Sequence, residues 1–213
     1  MLQFKLFGFP IQIQPFFWLL CVLLGMNYLQ QGGTEGIGKF LLMTVILLGS
    51  ILWHELGHAL ARKKFGAPHS QIILHGFGGL CTGPGQFSRG QSIGISAAGP
   101  GANLLVGAIV LVLINVIGIS DPWTAFAVQW LLWINIAVAL LNLLPIYPLD
   151  GGHILAALAG PSKLRTVLWV SLVASAILAI LGLTQGLFFA GILFGLMAWG
   201  NWQQLQGQRS SFP

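Results

Sequence analysis

Long apolar runs separated by short polar breaks dominate the chain. A membrane-spanning helix needs about 20 mostly apolar residues, and six runs approach that length. Most breaks are short turns rich in Gly and polar residues, and the weakest is near Thr184–Gly186. The pattern predicts six transmembrane helices, near Pro15–Leu29, Phe40–Ala61, Ile93–Ile117, Trp123–Pro145, Val167–Leu183 and Leu187–Gln204.

One polar segment, between the second and third predicted spans, is much longer than the other breaks. Within it, Gln71–Gly79 begins with β-branched residues and ends in glycines. This composition favours a short membrane-associated β-strand or a re-entrant loop over a helix. We therefore expect an all-α polytopic membrane protein with one such segment, folded as a single domain over residues 1–213.

Composition excludes several classes of protein. The chain is 56% hydrophobic and 6% charged, whereas a soluble domain carries roughly 25% charged residues. The net charge of +5 does not indicate a nucleic-acid partner, because the basic residues lie at the ends of apolar runs. Cys21 and Cys81 are too few for a disulfide framework or a cysteine zinc site. The first apolar run resembles a retained span and not a cleaved signal peptide.

The distribution of Lys and Arg predicts the orientation in the bilayer. Cytoplasmic loops of membrane proteins carry an excess of these residues. With the N-terminus inside, only Lys39 falls outside, and both termini are cytoplasmic. We expect the plasma membrane of a prokaryote, with an organelle membrane as the alternative. The basic residues predicted on the inner side are Lys5, Arg62, Lys63, Lys64, Arg89, Lys163, Arg165 and Arg209.

The chain has four acidic residues, and two of them lie in or next to apolar spans. Glu35 and Asp121 fall in predicted external turns, where a charge costs little. Glu55 and Asp150 fall where an ionisable group costs about 2.5–3.5 kcal/mol at the helix centre. Such residues are functional unless they are paired, so these two are the first candidates for chemistry.

His54, Glu55 and His58 form the motif HELGH within the second span. Histidines at i and i+4 share one helical face, so both imidazoles can reach a single Zn²⁺. Glu55, next to the first histidine, is then placed to act as general base on the zinc-bound water. The alternative is that Glu55 merely pairs with Arg62 or Lys63.

Asp150 is the candidate third zinc ligand, because catalytic zinc takes three protein ligands and leaves one position open. It lies in the sequence NLLPIYPLDGGH, residues 142–153. In the predicted topology, this sequence and HELGH both lie near the cytoplasmic ends of their spans. The alternative role for Asp150 is a helix cap in the interface.

Four motifs in the same order resemble those of the site-2 proteases, intramembrane zinc metalloproteases of regulated intramembrane proteolysis. They are HELGH at 54–58, the strand region with its FGG at 72–79, AGPGAN at 98–103, and NLLPIYPLDG at 142–151. The resemblance covers residues from about 40 to 160. The long peptide-binding insertions and nucleotide-sensing domains of some family members have no counterpart, so the chain resembles the family's minimal form.

This resemblance implies one Zn²⁺ held by His54, His58 and Asp150, with Glu55 as base, and cleavage of a membrane protein's transmembrane segment. It implies that Asn142 positions substrate or stabilises an oxyanion, and Asn103 is a candidate for the same work. The alternative for both asparagines is interhelical hydrogen bonding. Gly78 and Gly79 belong to the candidate substrate-docking segment, where an unwound peptide could add as a strand. The expected partners are a single-span substrate and the bilayer.

Three further histidines lie outside the HELGH motif. His69 is expected to be solvated, His75 to be structural or substrate-facing, and His153 is a candidate partner for the Asp150 carboxylate.

The second function hypothesis is a metal-binding membrane protein without protease activity, either a carrier or a scaffold. A carrier would be favoured by inverted repeats and several intramembrane polar sites, and the sequence shows one compact set of polar residues instead.

Overall fold

The computed structural model describes residues 1–207, which form seven helices, four strands and a 3-10 turn. The strands are β1 Leu2–Leu6, β2 Phe9–Ile13, β3 Gln71–His75 and β4 Gly78–Thr82. The helices are α1 Pro15–Gln31, α2 Gly33–Lys64, α3 Arg89–Ile117, α4 Pro122–Asn142, α5 Asp150–Ala159, α6 Leu164–Thr184 and α7 Phe188–Leu205, with the turn at Pro161–Lys163. Arg209, which was predicted to be cytoplasmic, lies outside the described residues.

The chain folds as two compact units. Among the described residues, the first contains 1–86 and 98–140, and the second contains 87–97 and 141–207. Helices α3 and α4 each contribute to both units. The prediction that the two form a single domain stays a prediction.

The first unit contains a four-stranded sheet in the order β1-β2-β3-β4. The strands pair as two antiparallel hairpins, β1–β2 and β3–β4, and β2 pairs with β3 in parallel. The β3–β4 hairpin confirms the predicted strand at residues 71–79 and extends it to Thr82. The sequence prediction missed β1 and β2, so the description as all-α is corrected to mostly helical with a small sheet.

The residues just before the first predicted span form a strand because apolar residues alternate with other residues there. Phe9, Ile11 and Ile13 are buried, whereas Pro10 is exposed and Gln12 is half-buried. This period of two places one face of β2 on a core, as a helical period would not. The same core contains Ile72 and Leu74 of β3, Phe17 and Leu20 of α1, and Met43 and Leu47 of α2.

Helices occupy all six predicted spans, and within the described residues four of them are long and apolar enough to cross a membrane. These four are α2, α3, α4 and α6, the last taken together with the preceding turn. Helix α1 has 17 residues, and α7 ends in a polar sequence that includes Asn201 and Gln204. The structure therefore supports an integral membrane protein with at least these four apolar helices.

Two boundaries differ from the prediction around Asp150. Helix α4 ends at Asn142 and not at Pro145, because proline disfavours helical conformation in the preceding residue and lacks an N–H donor. The chain then forms an irregular loop over residues 143–149 before α5 begins at Asp150. The short helix α5 was not predicted.

In the second unit, α6 and α7 form a tight antiparallel hairpin. Gly186 adopts a positive φ of 75° in the turn, as expected for a glycine between two helices. A Cβ on Gly182 would lie 2.7 Å from the backbone nitrogen of Gly191, so the two helices approach closely. Ile146, from the loop before Asp150, is fully buried in a cluster with Ala179 of α6 and Phe194 of α7. This packing anchors the loop that carries Asp150.

Candidate metal centre

The two histidines of HELGH face one another within the buried part of α2. Their Nε2 atoms are 3.1 Å apart, and their ring planes are 79° from parallel. His54, Glu55 and His58 are 3%, 4% and 7% exposed. Two nitrogen ligands of a tetrahedral zinc, each at about 2.0–2.1 Å, would be separated by a similar distance. The histidine pair therefore has the spacing that one metal ion requires.

Small residues on α3 leave room at the histidine pair. A Cβ on Gly57 of α2 would lie 2.6 Å from the carbonyl oxygen of Ala98, so α3 passes close to α2 at this point. A Cβ on Gly99 would overlap the Nε2 atom of His58 and lie 2.7 Å from Nε2 of His54. The space at which both imidazole nitrogens point is thus one that a single methyl group would fill. The donor atoms and this space fit a zinc ion.

Asn103 of α3 lies behind His54, fully buried. Its Oδ1 atom is 2.6 Å from Nδ1 of His54, and its Nδ2 atom donates to the Ser50 carbonyl oxygen and to Oδ1 of Asn135. The Asn103 carboxamide thus makes three polar contacts with other residues. These are interhelical hydrogen bonds of the kind considered from the sequence, and the predicted oxyanion or substrate-binding role of Asn103 stays a prediction.

The edge strand β4 packs against the proposed base. A Cβ on Gly79 would overlap Cγ and Oε1 of Glu55, so only glycine permits this approach. Burial, together with the neighbouring Glu55 carboxylate, raises the pKa of the Cys81 thiol to about 12. The Gly79 contact places β4 beside Glu55. Gly78 has a positive φ of 129° at the start of the strand.

Asp150 and Asn142 belong to the second unit. Asp150 is the first residue of α5 and is half-buried, and Asn142 is the last residue of α4. A Cβ on Gly151 would overlap the carbonyl oxygens of Leu143 and Leu144. A Cβ on Gly152 would lie 2.5 Å from the backbone nitrogen of Tyr147. The paired glycines therefore let α5 begin directly against its own preceding loop.

The same loop is held by two polar side chains that sequence reasoning did not single out. The backbone N–H of Tyr147 donates to Oγ of Ser171 at 3.0 Å, and the Tyr147 carbonyl oxygen accepts from Nδ2 of Asn201 at 2.7 Å. Ser171 and Asn201 are 0% and 2% exposed. Their one signal in the sequence was the presence of a hydroxyl and an amide within otherwise apolar segments.

The remaining histidines and the cysteines have separate positions. Nδ1 of His75 accepts a hydrogen bond from the Phe77 N–H in the β3–β4 turn, and burial lowers the pKa of His75. His153 is exposed and its ring lies 4.4 Å from the Tyr147 ring. His69 is exposed, as expected. Cys21 and Cys81 are both free thiols.

The chain is similar to known metalloproteases in sequence and in fold. The sequence model of peptidase family M50 matches residues 115–181. A relative from Synechocystis sp., provisionally named a zinc metalloprotease, is 32% identical over 163 residues, or 72% of this chain and 42% of the relative. A zinc metalloprotease of Methanocaldococcus jannaschii is 28% identical over 161 residues, 73% of this chain and 44% of that protein. The solved site-2 protease from the same archaeon has a TM-score of 0.71, at 23% identity, and the match covers 96% of this chain and 94% of that one.

Part of the chain, residues 115–181, matches the sequence model of peptidase family M50, and the relatives similar to it in sequence are named zinc metalloproteases. The resemblance drawn from the four sequence motifs is thereby confirmed, and the fold is that of a site-2 protease. The chain spans less than half the length of the two curated relatives described above.

Proposed function

We propose that this protein is an intramembrane zinc endopeptidase of the site-2 protease family. One observation carries the proposal: the Nε2 atoms of His54 and His58, both buried in α2, lie 3.1 Å apart, as two ligands of one zinc ion would. Asp150 is the proposed third ligand. Two histidines and a carboxylate are an established ligand set for catalytic zinc. The names of the relatives from Synechocystis and M. jannaschii add support.

The residues divide the chemistry between them. His54, His58 and Asp150 would hold the metal, and a bound zinc ion would supply Lewis-acid activation of water and of a carbonyl group. Glu55, buried beside the two histidines, takes a proton from water during attack and delivers it to the leaving amine. Asn142 positions substrate or stabilises the oxyanion.

The β4 strand is the proposed docking site for substrate. It forms one edge of the sheet, and Gly79 brings it into contact with Glu55. A transmembrane substrate must unwind before its peptide bond becomes accessible, and its freed backbone groups then need partners. Addition of the unwound segment as a strand along Gly78 and Gly79 supplies those partners.

The proposed arrangement in the membrane has six spans, with α1 and α7 added to the four apolar helices. Both termini are cytoplasmic, in the plasma membrane of a prokaryote; the relatives from Synechocystis, M. jannaschii and Bacillus subtilis are prokaryotic proteins. Topology reporters placed after Gln31 and after Gly118 should report the outer side. An inner-side signal at either position would contradict the six-span arrangement.

Replacing the base tests the activity. We expect Glu55→Gln to retain zinc and the folded state, because the ligands are unchanged. The variant should lose cleavage of a co-expressed single-span substrate by about 100-fold or more, since general acid–base catalysis contributes roughly 10²–10⁴-fold. The measurements are zinc per chain in purified protein and the amount of cleaved substrate. A photo-crosslinking residue in place of Leu80 in this variant should capture the uncleaved substrate.

The same experiment separates the two function hypotheses. A metal-binding carrier or scaffold would hold zinc in the wild type and cleave nothing. Undiminished cleavage by Glu55→Gln would remove Glu55 from the mechanism. Wild-type protein that binds zinc and cleaves none of a panel of single-span substrates would favour the non-catalytic alternative.

A further inference from the structure

A continuous set of buried hydrogen bonds runs from α4 through α3 to His54. Nδ2 of Asn135 donates to the Leu131 carbonyl oxygen at 2.8 Å and to Oγ of Ser50 at 3.0 Å. Oδ1 of Asn135 accepts from Nδ2 of Asn103 at 2.6 Å. Asn103 and Asn135 are both fully buried. The set ends at His54, through the 2.6 Å contact between Asn103 Oδ1 and His54 Nδ1.

Two backbone carbonyl groups fix the direction of every donor in this set. A carbonyl oxygen only accepts, so the Leu131 oxygen fixes the NH₂ end of Asn135. In the same way, the Ser50 oxygen, 3.1 Å from Nδ2 of Asn103, fixes the NH₂ end of Asn103. The opposite end of Asn103 is therefore its oxygen. Since that oxygen cannot donate, the proton between it and His54 belongs to the histidine.

The direction of this hydrogen bond decides which tautomer His54 adopts. A neutral imidazole with a proton on Nδ1 carries its lone pair on Nε2. Nε2 is the atom that lies 3.1 Å from Nε2 of His58. The network therefore presents the lone pair of His54 to the position assigned to the metal.

We propose that Asn103, held in place by Asn135 and Ser50, is a positioning residue that fixes the tautomer and ring orientation of His54 for metal binding. The inference rests on the proposed function, since it takes His54 to be a zinc ligand. Outer hydrogen-bond partners of metal-bound histidines raise affinity because they hold the ring in its binding geometry before the metal arrives. In this role Asn103 acts through His54.

Zinc affinity, measured by competition with a chelator of known affinity, tests this role in the full chain. We expect Asn103→Leu, which has nearly the same volume, to lower affinity about 10–100-fold. The Co²⁺-substituted protein should show a correspondingly weakened visible absorption band, because cobalt reports ligand geometry. Asn115→Leu is the matched control: Asn115 lies on the same helix, is exposed, and bonds only within its own turn, to the Leu111 carbonyl oxygen. Its zinc affinity should equal that of the wild type.

Asn103→Asp distinguishes positioning from a general loss of stability. The aspartate keeps an oxygen acceptor for His54 but opposes the Ser50 carbonyl oxygen with a second oxygen, so it should unfold at least as readily as Asn103→Leu. We nevertheless expect it to bind zinc more tightly than the leucine variant. Equal zinc affinity of the two variants, or wild-type affinity in Asn103→Leu, would overturn the proposal.

Two further variants keep the test decisive. Ser50→Ala removes only the hydroxyl group that Asn135 contacts, so it should fold and lose a smaller part of the zinc affinity. If neither Asn103 variant folds, unchanged affinity in Ser50→Ala overturns the proposal. His54→Ala is measured alongside: zinc binding that survives this change refutes the metal assignment itself. Binding lost in His54→Ala but intact in Asn103→Leu refutes only the role of Asn103.

Discussion

The two compact units hold their proposed metal ligands by different means. In the first unit, His54 is fixed through its side chain, by the amides of Asn103 and Asn135 on neighbouring helices. In the second unit, Asp150 is fixed through the backbone that precedes it, since Ser171 and Asn201 bind both backbone polar groups of Tyr147. A ligand from the middle of a long helix already has a fixed backbone, so only its ring needs orienting. A ligand that follows an irregular loop first needs the loop itself to be fixed.

The glycines show the same contrast. Gly99 in the first unit faces the side-chain nitrogen atoms of the two histidines. Gly151 and Gly152 in the second unit face backbone atoms of residues 143–147. Adding a methyl group should therefore obstruct the metal position in the first unit, whereas in the second it should displace the chain. This difference can be tested separately by zinc binding and by stability.

Gly99→Ala should have the largest effect on metal binding. The new methyl group would occupy the space at which His54 and His58 point. We expect zinc affinity to fall by more than the roughly 100-fold upper range of outer hydrogen-bond effects, with little loss of thermal stability. Gly101→Ala is the control, because a Cβ on Gly101, two residues along the same helix, would meet no atom within 4 Å. This variant should bind zinc normally. Normal zinc binding by Gly99→Ala would show that the metal does not lie between the two histidines.

Ser171→Ala should have a smaller effect, and on stability first. Removing the hydroxyl group leaves the part-buried Tyr147 N–H without this acceptor, which costs up to about 3 kcal/mol. The free energy of unfolding in detergent and the zinc affinity should both fall, the latter less than in Gly99→Ala. Ser175→Ala is the matched control, because Ser175 is equally buried, one turn further along α6, and bonds only to carbonyl groups of its own helix. If the two serine variants are equally stable, the loop before Asp150 does not depend on Ser171.

Much of this protein could be predicted from its sequence because the relevant signals are local. Apolar runs of sufficient length predicted the positions of the six long helices found among residues 1–207. The spacing of His54 and His58 predicted a shared helical face, since one turn of helix decides it. The scarcity of charge drew attention to Glu55 and Asp150, because an ionisable group next to an apolar span is costly.

The tertiary structure decided what depends on residues far apart in the chain. The N-terminal strands β1 and β2 join the four-stranded sheet because β2 pairs with β3, where Ile11 lies opposite Ile72. Asn103 meets His54 across 49 residues, and Asn201 meets Tyr147 across 54. A hydrogen bond between residues so far apart produces no periodic pattern in the sequence, so neither the bond nor its direction could be predicted. The sequence by itself thus determined which residues are candidates for the chemistry. Only packing of the helices determined how each one is oriented, because a buried amide or hydroxyl takes its role from the donor or acceptor that it contacts.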